Sequence, residues 1–366
     1  MEAPMSDQAQ GQVSGVNLEE RVFSAAVGAL ELFGIYLGDR LGLYRELRDP
    51  AGLTSGDLAR RAGIHPRYAR EWLEQQAVAG VVVANDVAAP AEARRYHLPE
   101  ANARVVDAPS DASHLAPLAR MIVGIGGVIE EVVHAYRNGT GVPYAHYGPD
   151  FRHGQGGINR PAFTTSLVEE WIPAMSDVAE RLARGGRIAD VGCGHGWSAI
   201  AAARAFPNAS VVGIDVDAAS IDDARAFAAK EGVSVRFECA SAAALAASGP
   251  FDLAMILEVL HDLTRPVEVL TEVRRALGPG GAALVADEAV APEFTAPGDD
   301  LERMMYGWSI THCLPTQMVE QPSAAIGTVI REGTVRELAA QAGFGRVDVL
   351  PVPGGFFRLY ELRAEP

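Results

Sequence analysis

The sequence predicts an α/β protein: a mostly parallel sheet carrying helices, preceded by a mostly helical module. Three observations predict it. Arg187 to Asp217, RIADVGCGHGWSAIAAARAFPNASVVGIDVD, reads as strand, glycine turn, helix, strand. From there to Arg363, apolar runs alternate with helical stretches. The first hundred residues instead carry apolar side chains at helical spacing. A strand-helix-strand unit makes its two strands parallel and puts a ligand edge at their C-terminal ends.

Composition sets the bounds. The 366 residues suffice for about two domains. An apolar fraction of 48% against 21% charged fits a globular chain with a sizeable core. The formal net charge of −16 argues against nucleic acid or an anionic membrane as the main partner. Cys193, Cys239 and Cys313 are odd in number and far apart, so no disulfide framework is implied. The opening MEAPMSDQAQGQVSG has neither a basic region nor an apolar core. It is no signal peptide, and residues 1–17 read as a disordered tail. The apolar run Met121 to Ile129 is too short to span a bilayer. The expected location is cytoplasmic.

Leu18 to Tyr36 is apolar at helical spacing, through Val22, Ala25, Ala26, Leu30, Leu32 and Phe33. Leu41 to Leu47 reads as a second helix. Thr54 or Ser55 caps a third, Gly56 to Ala62. Pro66 suits a first helical position, and Arg67 to Val78 is a fourth helix expected to bury Tyr68, Trp72, Leu73 and Ala77. Val81 to Val83 and Arg95 to Leu98 can pair as a hairpin. Helix, helix, turn, helix, hairpin is a winged-helix arrangement, here spanning 18–105. Its sharp reading is DNA binding. Against that, Arg60, Arg61, Arg67, Arg70, Arg94 and Arg95 are balanced by Asp57, Glu71, Glu74, Asp86, Glu92 and Glu100, and a DNA reader needs a net basic face. The module is expected to dimerise and to cap the substrate, with Leu18 to Tyr36 as the homodimer surface.

Residues 106–162 read as a helical linker and a substrate-binding loop. Ala101 to Tyr136 is mostly helical, broken by Pro109 and Pro117. Asn138 to Pro161, NGTGVPYAHYGPDFRHGQGGINRP, is a long irregular segment, more often a binding loop than idle linker. Tyr144, His146, Tyr147, His153, Gln155 and Asn159 are its candidates for lining a site. Its histidine spacing matches no metal motif, so no metal is expected.

Residues 163–366 hold the alternating pattern. Phe163 to Ala183 is the entering helix. Ile221 to Lys230 is a helix on the sheet and Val233 to Phe237 the third strand, with Ser241 and Ala242 just past its end. Phe251 to Leu257 is the fourth strand, followed by Glu258, Val259, Leu260, His261 and Asp262 at the same sheet edge. Val267 to Leu277 is an amphipathic helix ended by Gly278-Pro279-Gly280-Gly281, and Ala282 to Asp287 is the fifth strand. Residues 288–330 interrupt the alternation as a lid insertion, carrying Tyr306, Trp308, His312 and Cys313. Thr334 to Ala342 is a helix, and Val347 to Val352 with Phe356 to Arg363 closes the sheet as a hairpin.

The glycines carry the chemistry. A turn that leaves a strand and enters a helix at once needs φ > 0, and a backbone without Cβ can approach a ligand. The dinucleotide fingerprint G-x-G-x-x-G would put a third glycine at 197, which is Trp197. The order here is G-x-G-x-G after Asp190. An acid beside the loop repels a pyrophosphate but suits the ammonium and sulfonium of S-adenosylmethionine. Asp215, closing the second strand, can accept hydrogen bonds from ribose hydroxyls.

Four stretches then resemble the class I S-adenosylmethionine-dependent methyltransferases: ADVGCGHG at 189–196, GIDVD at 213–217, LEVLHD at 257–262 and LGPGG at 277–281. They stand in the family's order and spacing. The N-terminal part is similar to the winged-helix dimerisation domain found on many small-molecule methyltransferases, and the PGDD, HCLP, PSAAIGT and FFRLYEL stretches of the C-terminal half resemble an actinobacterial branch. The resemblance implies a Rossmann-like seven-stranded sheet with an antiparallel last strand. It implies cofactor contacts from Asp190, Gly192, Cys193, Gly194, Gly196, Asp215, Val216, Ser241, Ala242 and Glu258. Ser241 stands where the family commonly has an aspartate. His261 matches the family's base, with Leu263 in place of the usual tryptophan. Asp262 or Glu258 is placed to orient it, or Glu258 to meet the cofactor; helix capping or packing is the competing role for the His-Asp pair.

The expected function is methyl transfer from S-adenosylmethionine to a small-molecule acceptor, in secondary metabolism. His261 is the candidate base, and Tyr147, His153, Tyr306 and His312 are the candidate substrate residues. The alternatives are a winged-helix transcription regulator that senses the cofactor and a non-catalytic cofactor-binding protein.

Overall fold

The structure is a computed structural model that describes residues 17–353 and 355–364. The stretch read as a tail lies outside the described residues except for Asn17. That residue caps α1 (Leu18–Arg40), its side chain accepting from Glu19 N. Then come α2 (Leu43–Glu46), α3 (Ser55–Ala62) and α4 (Pro66–Val78). Thr54 starts α3 with a reciprocal capping box to Asp57, which satisfies two backbone donors at once. The strands β1 (Val83–Ala84) and β2 (Tyr96–His97) pair antiparallel as the wing. Leu43, Leu47, Leu58, Trp72, Leu73 and Tyr96 form this module's core. Tyr68 does not join it. It is 75% exposed, because α4 turns Ala69, Trp72, Leu73 and Gln76 inward and leaves Tyr68 on its first turn against the His65 ring.

α5 (Glu100–Val106) and α6 (Ala116–Asn138) follow. Pro117 opens α6 rather than breaking it, as its missing N–H allows at a first turn. The segment expected to be an irregular loop is mostly α7 (Gly148–Thr164). Its glycines let it lie close to its neighbours. A Cβ on Gly154 would meet Met121 Cγ at 2.7 Å and Pro117 O at 2.8 Å. Packing against α6 thus supplies the helical stability that the composition lacks.

The expected single helix over 163–183 is interrupted. A π turn at Leu167–Trp171 leads to α8 (Ile172–Ala174) and α9 (Ser176–Ala183). The sheet begins with β3 (Arg187–Val191), α10 (Trp197–Ala205), β4 (Ser210–Asp215), α11 (Ala218–Glu231), β5 (Arg236–Cys239) and α12 (Leu245–Ser248). It continues with β6 (Phe251–Leu257), α13 (Pro266–Ala276) and β7 (Leu277–Glu288). The insertion holds α14 (Asp300–Trp308), a π turn at Ser309–Cys313 and α15 (Leu314–Gln317). Then come α16 (Glu332–Gln341), β8 (Arg346–Val349) and β9 (Phe357–Arg363).

The strand order is β5-β4-β3-β6-β7-β9-β8. β3 to β7 are parallel, and β9 runs antiparallel between β7 and β8. Ile188, Leu253, Met255 and Leu284 face one core layer; Ala189, Ala254, Ile256 and Val285 face the other. Successive residues at these positions are buried without a break and alternate between the two layers, as a sheet covered on both faces requires. The order reverses between β3 and β6, so a crevice opens at their C-terminal ends. The glycine turn and the turn after β6 both stand there.

Candidate active site

The cofactor side is built from four strand ends. Gly192, Gly194 and Gly196 have φ of 70°, 48° and 74°, where a Cβ would clash with the backbone. They line a cavity of about 490 Å³ together with Cys193, Val216, Ser241, Ala242 and Glu258. Asp215 lines it too. Its Oδ2 accepts from Gly194 N at 2.8 Å and its Oδ1 from Asp217 N at 2.8 Å. Both bonds leave lone pairs for a diol. Burial raises the Asp215 carboxyl, and these backbone donors work against that rise.

Asp190 is the exception among the residues expected to touch the cofactor. Its carboxylate turns under the loop to accept from Ser198 Oγ at 2.5 Å, is buried, and does not line the cavity. Burial pushes it up to about 7. It ties the end of β3 to the start of α10. Trp197, which replaces the third dinucleotide glycine, stacks on Phe227 with Arg160 over its ring at 4.0 Å.

A second cavity of about 670 Å³ adjoins the first. Gln155, Asn159, Glu258 and His312 line both, so the two meet at these four residues. Its walls are apolar: Met121, Phe151, Trp171, Met305, Trp308 and Phe357. His261 and Glu288 supply acid-base groups. An apolar pocket with a few polar groups converging on one end is the usual form of a small-molecule site.

His261 is 2% exposed. Its Nδ1 is bonded to Asp287, with Glu288 Oε2 3.5 Å away and Asp262 Oδ1 3.4 Å from Nε2. Burial disfavours the imidazolium, but the carboxylates of Glu288, Asp262 and Asp287 outweigh it and hold the pKa well above the ordinary value. Burial raises all three carboxyls at the strand ends: Glu258 well above its usual range, Glu288 to about 7, and Asp287 in the same direction. Glu258 also sits at φ 57°, a strained backbone for a residue with a Cβ, and accepts from Asn159 Nδ2.

His261 Nδ1 is thus bonded to Asp287, while Asp262 Oδ1 lies at the other ring nitrogen. Asp287 and Glu288 close β7 at the ligand edge. The strand-end rule that singled out Asp215 could have found them.

The four candidate substrate residues separate. His312 lies at the junction, stacked on Phe151 at 4.1 Å, and burial lowers it to about 4. Its buried Nε2 has no hydrogen-bond partner among the described residues. Tyr147 is buried in packing, donating to Thr311 O at 2.8 Å, and lines neither cavity. His153 turns away to Asp223 on α11. Tyr306 lies on the outer side of the insertion, in a shallow concavity with Phe294 and Arg303. Of the other loop candidates, Tyr144, Gln155 and Asn159 face the cofactor cavity, while His146 pairs with Glu131 outside. α7 presents one stripe inward, so a helical segment delivers only some of the residues that a loop could.

A parallel sheet with an antiparallel seventh strand, a glycine turn at the switch point and an acid closing the next strand defines a class I methyltransferase fold. Comparisons with known proteins agree. Residues 188–281 match the family model described as a methyltransferase domain, and residues 28–107 match that of the Rv2258c-like winged HTH domain. The chain therefore carries a segment that matches a methyltransferase domain behind one that matches an Rv2258c-like winged HTH domain.

The ubiquinone biosynthesis O-methyltransferase of Roseobacter denitrificans is 38% identical over 99 residues, 27% of this chain and 39% of that protein. The chain thus spans less than half the length of that curated relative and of the Thermus thermophilus ribosomal protein L11 methyltransferase, 36% identical over 126 residues. Human N-acetylserotonin methyltransferase, solved in complex with SAM, superposes with a TM-score of 0.67 at 15% identity, covering 97% of this chain and all of that one. Mitomycin 7-O-methyltransferase gives 0.64 at 20% identity, covering 94% and 97%. At such identities the likeness is one of fold.

Proposed function

We propose that this protein transfers a methyl group from S-adenosylmethionine to a small molecule with a largely apolar body, in secondary metabolism. The observation that carries this reading is the meeting of the two cavities at Gln155, Asn159, Glu258 and His312, with His261 lining the second. The residues fit the cofactor. The glycine turn gives close backbone approach for its methionyl end, Asp215 offers acceptors to a ribose, and Ser241 with Ala242 stands where its base would lie. When bound, S-adenosylmethionine supplies a methyl group already activated by the positive sulfur.

The protein's part is then alignment and dryness. Apolar walls exclude water and orient the acceptor. Asp287 holds His261 Nδ1–H, so Nε2, beside Asp262 Oδ1, is the atom that takes the acceptor's proton.

The cofactor assignment is tested by calorimetric titration with S-adenosylhomocysteine. Wild-type protein should bind in the micromolar range, and Asp215→Ala should weaken binding by at least about tenfold, the worth of one charge-assisted hydrogen bond. Equal affinity in the two proteins would remove Asp215 from the site. No binding to the wild type would overturn the cofactor assignment itself.

We also infer a homodimer built on α1. Leu18, Val22, Phe23, Leu30 and Leu37 are exposed along it, and a contiguous apolar stripe of this kind marks an interface. α1 is long and apolar enough to cross a membrane by length and composition. Its inner side is nevertheless committed to protein. Gly34 O accepts from Trp72 Nε1, and Asp39 pairs with Arg120. A second copy is thus the fitting occupant, and a cytoplasmic location follows from the same reading. Sedimentation should give a dimer for the wild type and a monomer for Leu30→Asp; a monomeric wild type would overturn it. Nucleic acid is not expected as a partner. Arg67, Arg70 and Arg94 on the winged-helix module are paired with Glu71, Glu74 and Glu92 and offer no free basic stripe.

A further inference from the structure

Three side chains from three elements converge beside the cofactor cavity: His153 from α7, His195 from the glycine turn and Asp223 from α11. We propose that they form a binding site for a divalent transition-metal ion, zinc being the best matched, which clips α7 to the glycine turn and to α11.

The geometry points to a metal rather than to an ion pair. His153 Nε2 lies 3.3 Å and His195 Nε2 3.4 Å from Asp223 Oδ2, and the three ligand atoms all lie within 4.8 Å of one another. Zinc bonds to nitrogen and oxygen of about 2.0–2.1 Å at tetrahedral angles set neighbouring ligand atoms about 3.3 Å apart. Among the described residues His195 Nε2 makes no hydrogen bond, although the residue is only 5% exposed. A buried nitrogen left bare in a native fold calls for an explanation. An ion held between the two imidazoles and the carboxylate supplies one.

The surroundings suit such an ion. Arg152 Nε donates to Asp223 Oδ2 at 3.1 Å and fixes the carboxylate, as hydrogen bonds hold metal-ligating carboxylates elsewhere. That oxygen keeps a second lone pair, and Oδ1 is a further donor atom. The histidine ring centroids are 5.2 Å apart. Gly156 leaves His195 its room, since a Cβ there would collide with Nδ1. His153 is 37% exposed, which gives the ion a way in and leaves a fourth position for water. Two imidazoles and a carboxylate are a borderline donor set, apt for zinc, nickel or copper rather than magnesium or calcium. His195 lines the cofactor cavity, so the clip would tie the wall shared with the acceptor cavity to the turn that holds the cofactor.

The test is calorimetric titration of untagged, chelator-treated protein with zinc chloride alone. One ion per chain should bind, and His153→Ala and Asp223→Ala should each weaken binding at least about tenfold. Cobalt(II) should give the visible bands of a tetrahedral nitrogen and oxygen site, without thiolate charge transfer. That separates this site from exposed Cys239 and from the buried group His261, Asp262 and Cys313. Cys239→Ser and His146→Ala should leave the titration unchanged. His153 is partly exposed, and its variant should keep the wild-type melting temperature in chelator, which guards against loss of fold. Absence of stoichiometric binding, binding that survives both ligand variants, or a thiolate band would each overturn the site.

Discussion

His261→Ala should lower kcat by about 100-fold or more while leaving S-adenosylhomocysteine affinity nearly unchanged. His261 lines the acceptor cavity and not the cofactor cavity, so its removal spares cofactor binding. The pH dependence tells a base from a packing residue. A base works unprotonated, and His261 holds its proton well above the ordinary histidine range because Glu288, Asp262 and Asp287 surround it. Activity should therefore rise with pH, and its limb should lie on the alkaline side of 6.5. Glu288 is the largest of the three raising influences. Glu288→Gln removes its charge and keeps its shape, so the limb should move to lower pH. A structural histidine would give no such movement. An unchanged kcat in His261→Ala, or a limb indifferent to Glu288, would remove His261 from proton transfer and point to an acceptor that attacks without losing a proton to the enzyme.

What was legible in advance was the chemistry written locally. The glycine turn, Asp215 and the turn at 258–262 announce themselves because each occupies a strand end, and strand ends can be read from short apolar runs. Distant packing is not written that way. Asn138 to Pro161 reads as a loop from its glycines, yet Gly154 and Gly156 are there to let α7 approach α6 and His195. Once that stretch is a helix, His153 faces away from both cavities and Gln155 and Asn159 face them. Tyr306 stands apart from both cavities for a similar reason: the insertion has an inner and an outer side, and spacing alone does not say which is which. Asp287 was within reach. Its strand can be read from Ala282 to Asp287, and the acids at the end of that run stand at the same edge as Asp215.

Gly192→Ala should damage both the fold and cofactor binding, because Gly192 links the two functional turns. Its φ of 70° costs a residue with a Cβ about 1–3 kcal/mol. The added carbon would also stand 2.7 Å from both γ carbons of Val259, two residues before His261. Overpacking of that kind costs about a further 1–3 kcal/mol. The backbone on both sides is pinned: Gly192 N and Cys193 N donate to Ile214 O, and Glu258 N donates to Ala286 O. Strain therefore passes to the loop and to the His261 turn together. Val259→Ala removes the two γ carbons, so the double variant Gly192→Ala/Val259→Ala should recover the overpacking part and keep the φ part. Urea unfolding of the four proteins reads the pairwise term directly. Partial rescue means that the glycine is required for both conformation and approach. Purely additive losses would mean that the chain shifts to admit the methyl group, and that Gly192 is kept for its φ alone.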